Sequence, residues 1–321
     1  MRIALPAAIS VAAVEACDPA AVLTDLGGET MGTRWSVRAA LPAGLPAGTV
    51  RAAIVARLDA IVAEMSHWSP TSLLSRFNRA PAGSWTVLPP DFAQVMARGL
   101  AIAATSGGAF DPTIGRLVDL RGFGPVAAPA PPDAGAVDAA MTASGWRRLA
   151  FSAGDRRLYQ PGGVSLDLSG IAKGFAVDAV ADVLARVGVV HCLVEIGGEL
   201  AGRGVRPDGQ PWWVDLETPP GVALPPLRIA LHGIAVATSG DYRRGDHTLD
   251  PRTGRSIGNN VVSASVIAAD ALTADAWATA LTVLGPVAGM ALAAAEGIAA
   301  RIVTREGREY LSPALAGMLA G

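Results

Sequence analysis

Val164, Leu166 and Leu168 alternate with Ser165, Asp167 and Ser169, the period of a strand with one face in a core. Gly170 interrupts this alternation, and Ala172, Phe175, Ala176, Val177 and Val180 then recur at helical intervals. The pattern predicts a strand over Gly163–Leu168 that hands over to a helix over Ala172–Val187. Elsewhere, Val50, Ile54, Leu58, Ile61, Val62 and Met65 mark an amphipathic helix over 50–65. A second helix over Phe92–Ser106 ends at Gly107-Gly108. Between them, SHWSPTSLLSRFNRAP reads as a polar loop, and Ala127–Pro132 reads as a surface connection. Strand-like runs fall at Thr33–Ala40, Trp146–Phe151, Arg157–Gln160, Val190–Ile196, Trp212–Leu216, Arg228–Leu231, Ile234–Thr238, Val261–Val266 and Ala299–Val303, with a further helix near Ala274–Leu284. Hairpin-like pairs of strands with few long helices predict an α/β (α+β) protein with mixed, largely antiparallel sheets.

The uncharged run Ala276–Ala295 is long enough to span a bilayer, but Gly285-Pro286 cuts it in the middle and predicts two short packed helices instead. The first residues read two ways. Arg2 and the apolar run to Ala16 resemble a short signal segment before a lipidation cysteine, Cys17, which would tether the protein at the periplasmic face of an inner membrane. The alternative is a plain N-terminal extension over 1–26 on a cytoplasmic protein, with 27–321 as one domain.

Hydrophobic residues make up 51% of the chain and charged residues 17%, which suits a packed protein rather than a disordered one. A net charge of −2 leaves no basic footprint for nucleic acid, and two cysteines, Cys17 and Cys192, make no disulfide framework. The glycines of GGELAGRG lack the G-x-G-x-x-G spacing, and no G-x-x-x-x-G-K-[ST] loop occurs, so a Rossmann or P-loop nucleotide site is disfavoured.

Chemistry concentrates in a few segments. The Gly170 turn with Lys173 just beyond it makes a seat for a phosphate or diphosphate, or else an ordinary turn with a solvated lysine. In TADAWATAL, Asp275 and Thr279 stand four apart on one helix face, a pair of hard oxygen donors suited to Mg²⁺; taken alone, the segment reads first as Asp275 capping the helix or meeting its dipole, with Thr279 as filler. The loop Ala237–Ser256 packs Asp241, Arg243, Arg244, Asp246, His247, Asp250 and Arg252 together. His247 is the foremost titratable base, or a loop histidine bonded to Asp246 or Asp250; His67, His191 and His232 are weaker candidates. Ala109-Phe110-Asp111 forms a tight loop whose Phe110 could lie against a flat ring, while Met31 and Trp68 offer a thioether and an aromatic for a planar ligand.

Taken in order, GETMGT, MSHWSPTSLLSRFN, GGAFDPTIG with GFGP, LDLSGIAKGFAVD, LVEIGGE, ATSGDYRR with HTLDPRTG, and ADAWATAL resemble the FAD:protein FMN transferases of the ApbE family, over Gly28 to about Leu281. The resemblance implies a T-fold-like core, FAD as substrate and Mg²⁺. It implies transfer of the FMN half of FAD to a threonine or serine hydroxyl of an acceptor protein, such as a membrane redox subunit, with release of AMP. By position it implies Asp275, Thr279 and the Gly170 carbonyl as Mg²⁺ ligands. It likewise implies Met31, Trp68 (where the family often has tyrosine), Ala109, Phe110, Asp111, Asp167, Lys173 and the backbone near Leu249 as FAD contacts. His247 is the candidate base for the acceptor hydroxyl. A Mg²⁺-dependent FAD diphosphatase, with water in place of the hydroxyl, and a flavin-binding protein without turnover stand as alternatives.

Overall fold

An eight-stranded sheet carries the structure, and every neighbouring pair in it is antiparallel. The computed structural model describes residues 1–125, 131–240 and 247–319. Asp241, Arg243, Arg244 and Asp246, and most of the Ala127–Pro132 connection, lie outside them. Across the sheet the strands run Glu309–Leu311, Ala299–Thr304, Val261–Ala268, Ile234–Ser239, Glu199–Arg203, Cys192–Ile196, Thr33–Ala40 and Leu23–Thr30. Among the described residues there are also a two-stranded pair, Leu249–Asp250 with Arg255–Ser256, and two three-stranded sheets. One joins Arg2–Ala4, Leu227–Leu231 and Trp212–Asp215, the first pair parallel; the other joins Ser84–Val87, Arg157–Gln160 and Phe151–Ser152. The N-terminal residues are thus part of a sheet, with the Arg2 guanidinium on both oxygens of Glu309 and Cys17 buried.

The antiparallel, mixed architecture is the one expected from the pattern, and Thr33–Ala40 and Arg157–Gln160 are strands over the residues read for them. Differences have local causes. The Gly163–Leu168 segment keeps its alternation, with Val164, Leu166 and Leu168 buried, but it is not a strand: a single bridge joins Ser165 to Ile114. Backbone bonds from Gly115 to Ser165 and from Asp167 to Pro112 hold one edge, and a side chain satisfies the other. Asn78 accepts from the Leu166 amide at 2.7 Å and donates to the Leu166 carbonyl at 3.0 Å, doing the work of a neighbouring strand. Trp146–Phe151 is a 3₁₀ turn over Trp146–Arg148 followed by the two-residue strand Phe151–Ser152. The loop around SPTSLLSRFN holds a short helix, Leu73–Asn78, capped by Ser72 and anchored by buried Leu74 and Phe77.

Two helices define the site. The lysine helix, Ala172–Arg186, lies on Cys192–Ile196 and Glu199–Arg203, and the aspartate helix, Ala271–Ala295, lies beside it on Ile234–Ser239 and Val261–Ala268. The aspartate helix is long and apolar enough to cross a membrane by length and composition, but Gly285, at φ 77°, and Pro286 break it in two, and its first part is almost wholly buried. The two helices touch at Gly174: a Cβ there would overlap the Ala271 carbonyl and come within 2.8 Å of the Asp275 Cβ. Four residues on, Asp178 accepts the Ala271 and Leu272 amides, each at 2.9 Å, so a carboxylate of one helix closes the free N-terminus of the other.

Two predictions follow from this contact. Gly174→Ala must push the helices apart, and chemical denaturation should show a loss of about 1–3 kcal/mol, the usual cost of an overpacked core. Burial raises the Asp178 carboxyl to about 6, so its contribution to stability is complete below about pH 4 and is lost as pH rises through about 6. Carboxyl-carbon NMR should find a midpoint near 6 for this residue; an ordinary midpoint near 4 would overturn the assignment.

Candidate active site

The strands of the large sheet deliver their turns to one end. Met31 and Gly32, at φ 50° and 70°, form the two-residue turn between Leu23–Thr30 and Thr33–Ala40. Beside it, Gly197-Gly198, both at positive φ, turns Cys192–Ile196 into Glu199–Arg203. A two-residue hairpin turn needs left-handed backbone at both positions, which two glycines supply without strain. The Ile234–Ser239 strand points the same way, so the loop that leads to His247 leaves from this end as well.

The Gly170 turn and the start of the lysine helix face those turns. Gly170 packs on Thr279, and a Cβ at Gly170 would sit 2.8 Å from the Thr279 hydroxyl oxygen. Asp275 is fully buried and its Oδ2 accepts the Gly174 amide at 3.0 Å. It is not the helix cap: Asp270 takes that place, accepting the Thr273 amide at 2.7 Å. Lys173 reaches back to the sheet, where its Nζ meets Glu199 Oε1 at 2.5 Å. Gly170, Lys173, Asp275 and Thr279, read from separate segments, therefore meet in one place.

Burial dominates the electrostatics here. It raises the Asp275 carboxyl, against the opposing pull of Lys173 and the Gly174 amide. Burial also raises the Glu199 carboxyl, which Lys173 lowers and Asp275 raises further. Glu199 has no assigned role in the sequence reading, although IGGEL held a signal: a Gly-Gly turn with a carboxylate immediately after it.

A cleft of about 750 Å³ has His67, Asn78, Arg79, Arg116, Asp119 and Ser165 on its walls, and none of the four cluster residues lines it. Asp167 is buried behind it. Its Oδ1 accepts the Ser169 amide at 2.7 Å and lies 3.8 Å from His67 Nδ1, so His67 rather than Asp167 is presented to the cleft. Trp68 is exposed, its ring 5.6 Å from that of His67, and is available for stacking.

The Ala109-Phe110-Asp111 loop serves another purpose than the one its side chains suggested. The Phe110 ring is buried in the main core, so it cannot lie against a ligand ring. Both Asp111 oxygens are engaged within the chain. Oδ1 accepts from the Thr113 amide and hydroxyl at 2.8 and 2.6 Å, and Oδ2 from the Trp146 amide at 2.9 Å. What this loop can offer a ligand is backbone. Leu249 is likewise buried, on Leu117, Val118 and Ala140, and Asp250 pairs with Arg252 rather than with His247. The His247 ring stands edge-on to Phe123, 6.4 Å between centroids, in the turn between the cleft residues Leu120 and Pro125.

A protein of Klebsiella pneumoniae (strain 342) named FAD:protein FMN transferase is 34% identical over 319 residues, which cover 94% of this chain and 91% of that protein. The crystal structure of the flavinyl transferase ApbE of Pseudomonas stutzeri, in its apo form, has a TM-score of 0.87 and 36% identity over 94% of this chain and 98% of that one. The flavin transferase ApbE of Vibrio cholerae also has a TM-score of 0.87, with 34% identity over 92% and 99% of the two chains. Residues 31–302 match the ApbE family, and the chain belongs to it.

Proposed function

We propose that this protein is a Mg²⁺-dependent FAD:protein FMN transferase, which moves the FMN half of FAD to a threonine or serine hydroxyl of an acceptor flavoprotein and releases AMP. The observation that carries the reading is the meeting of Lys173, Asp275, Thr279 and the Gly170 turn at the start of one helix. Phosphoryl transfer asks a protein mainly for positioning and charge stabilisation, and this cluster supplies both with an ammonium, a buried carboxylate and a hydroxyl.

The residues fit the metal. Asp275 is a buried carboxylate whose charge burial opposes, so a cation beside it is favourable. The Gly170 backbone packs directly on Thr279, with the Cβ position 2.8 Å from the Thr279 hydroxyl oxygen, so the turn and that hydroxyl are adjacent. One carboxylate, one hydroxyl and one backbone carbonyl are hard donors, few in number, as suits an ion that keeps waters and phosphate oxygens in its shell. Among the described residues no group of three His, Cys, Asp or Glu could form a protein cage for a softer metal. Asp275, Thr279 and the Gly170 carbonyl would hold Mg²⁺, which when bound neutralises charge on the diphosphate.

The chain's own groups have separate tasks. Lys173 donates to diphosphate oxygens. The exposed Trp68 ring and Met31 lie against the flavin, and the backbone of the Ala109–Asp111 loop and of Leu249 borders the nucleotide. Asp167 acts through His67, which it holds toward the cleft. His247 takes the proton of the acceptor hydroxyl. The hydroxyl oxygen forms its bond to the FMN phosphorus as the bond from that phosphorus to the bridging oxygen breaks, and AMP departs with that oxygen.

Intact-mass analysis of a candidate acceptor after incubation with this protein, FAD and Mg²⁺ should show an added FMN mass that EDTA abolishes. AMP and free FMN without an adduct would replace the transferase reading with the diphosphatase, and intact FAD would leave a binding protein. Asp275→Ala should lower transfer by roughly 10²-fold or more, in line with the several kcal/mol a metal supplies, while the protein stays folded. His247→Ala should keep FAD affinity and slow single-turnover transfer by roughly 10²–10⁴-fold; an unchanged rate would exclude it as the base.

A further inference from the structure

Lys173, Glu199 and Asp275 crowd the junction of the lysine helix, the aspartate helix and the Gly197-Gly198 turn. When ionised they sum to one net negative charge. Glu199 is 1% exposed and bonds Lys173 through Oε1, while its Oε2 is buried with no hydrogen-bond partner. A buried carboxylate with one oxygen unsatisfied costs stability that an apolar residue of the same size would not. Such a group calls for an explanation, and its neighbours supply one.

Lys173 acts on both acids, lowering the Glu199 and the Asp275 carboxyl alike. Lys173 stands next to Gly174, whose amide is on Asp275 Oδ2 at 3.0 Å, so its flexible four-carbon stem starts beside both buried carboxylates. Two features pull it to the sheet side. The stem passes Gly197, with Cδ 3.4 Å from the place a Cβ would occupy, and the ammonium ends on Glu199.

We propose that Glu199 is a positioning residue that holds the Lys173 ammonium off Asp275 and so keeps the Asp275 carboxylate available to a divalent cation. The inference rests on Asp275 being a cation ligand in the function proposed above. Without the Glu199 charge, Lys173 turns to Asp275, and a cation must displace that internal ion pair before it can bind.

The test is a double-mutant cycle read by calorimetric titration of the full chain with Mg²⁺ alone, without FAD. Glu199→Gln should weaken Mg²⁺ binding about tenfold or more, a change of about 1.4 kcal/mol per decade. In a Lys173→Met background the same substitution should leave Mg²⁺ affinity unchanged, because no ammonium remains to compete. Equal weakening in both backgrounds would show that Glu199 acts only through its field and would overturn the inference, as would unchanged binding in the single variant. If the wild-type chain takes up no Mg²⁺, the metal assignment falls and the inference falls with it. Thermal melts control for folding, and Glu199→Met, which fills similar space without an unsatisfied polar atom, replaces the glutamine variant in the same cycle should that one not fold.

Discussion

The absence of one side chain, at Gly174, sets the geometry on which the rest depends. Any Cβ there would meet the Ala271 carbonyl, so only glycine lets the lysine helix and the aspartate helix approach as closely as they do. That approach puts the Gly174 amide on Asp275 and the Gly170 turn on Thr279. A separation larger by the width of a methyl group would break the first contact and leave Asp275 buried without its donor. Interiors are packed too densely for such a shift to be absorbed locally.

Charge is buried at this junction in a way an ordinary core avoids. Asp178, Glu199 and Asp275 are all carboxylates drawn up by burial, and each is tied to a specific donor: a pair of helix amides, a lysine, a single helix amide. The surrounding apolar cluster supplies the stability that lets the protein carry these groups, since each fully buried Leu, Ile or Val contributes about 1.5–3 kcal/mol. The polar cost is therefore concentrated where helix starts and sheet turns meet, the region with the most unpaired backbone donors and acceptors.

Much of this was legible from residue order. Period-two and helical patterns located most sheet strands and the two site helices, and Gly285-Pro286 announced the break in the long apolar helix. The order of seven short motifs pointed to the family. What pattern could not carry was partnership across the chain. Nothing near Leu166 in sequence says that Asn78 will stand in for a strand, and nothing near Ala271 says that Asp178 will cap it. Phe110 misled for a related reason: an aromatic in a glycine-flanked loop reads as exposed, but the loop folds it inward while Asp111 ties the backbone down. Glu199 was visible in IGGEL, yet its meaning depends on Lys173 arriving from another element.

The Asp178 bonds to the aspartate helix bear on how the molecule assembles. They join residues 93 and 94 positions apart, so the start of that helix has no side-chain closure from Asp178 until a distant segment has already wound and docked. Contacts of such long range form late and slowly, because the intervening chain must first give up its freedom. Asp275 and Thr279 lie within the first turns of that helix, and their partners Gly174 and Gly170 lie on or beside the segment that docks. These four groups therefore come together only when the two helices dock, and a half-folded chain holds none of them in place.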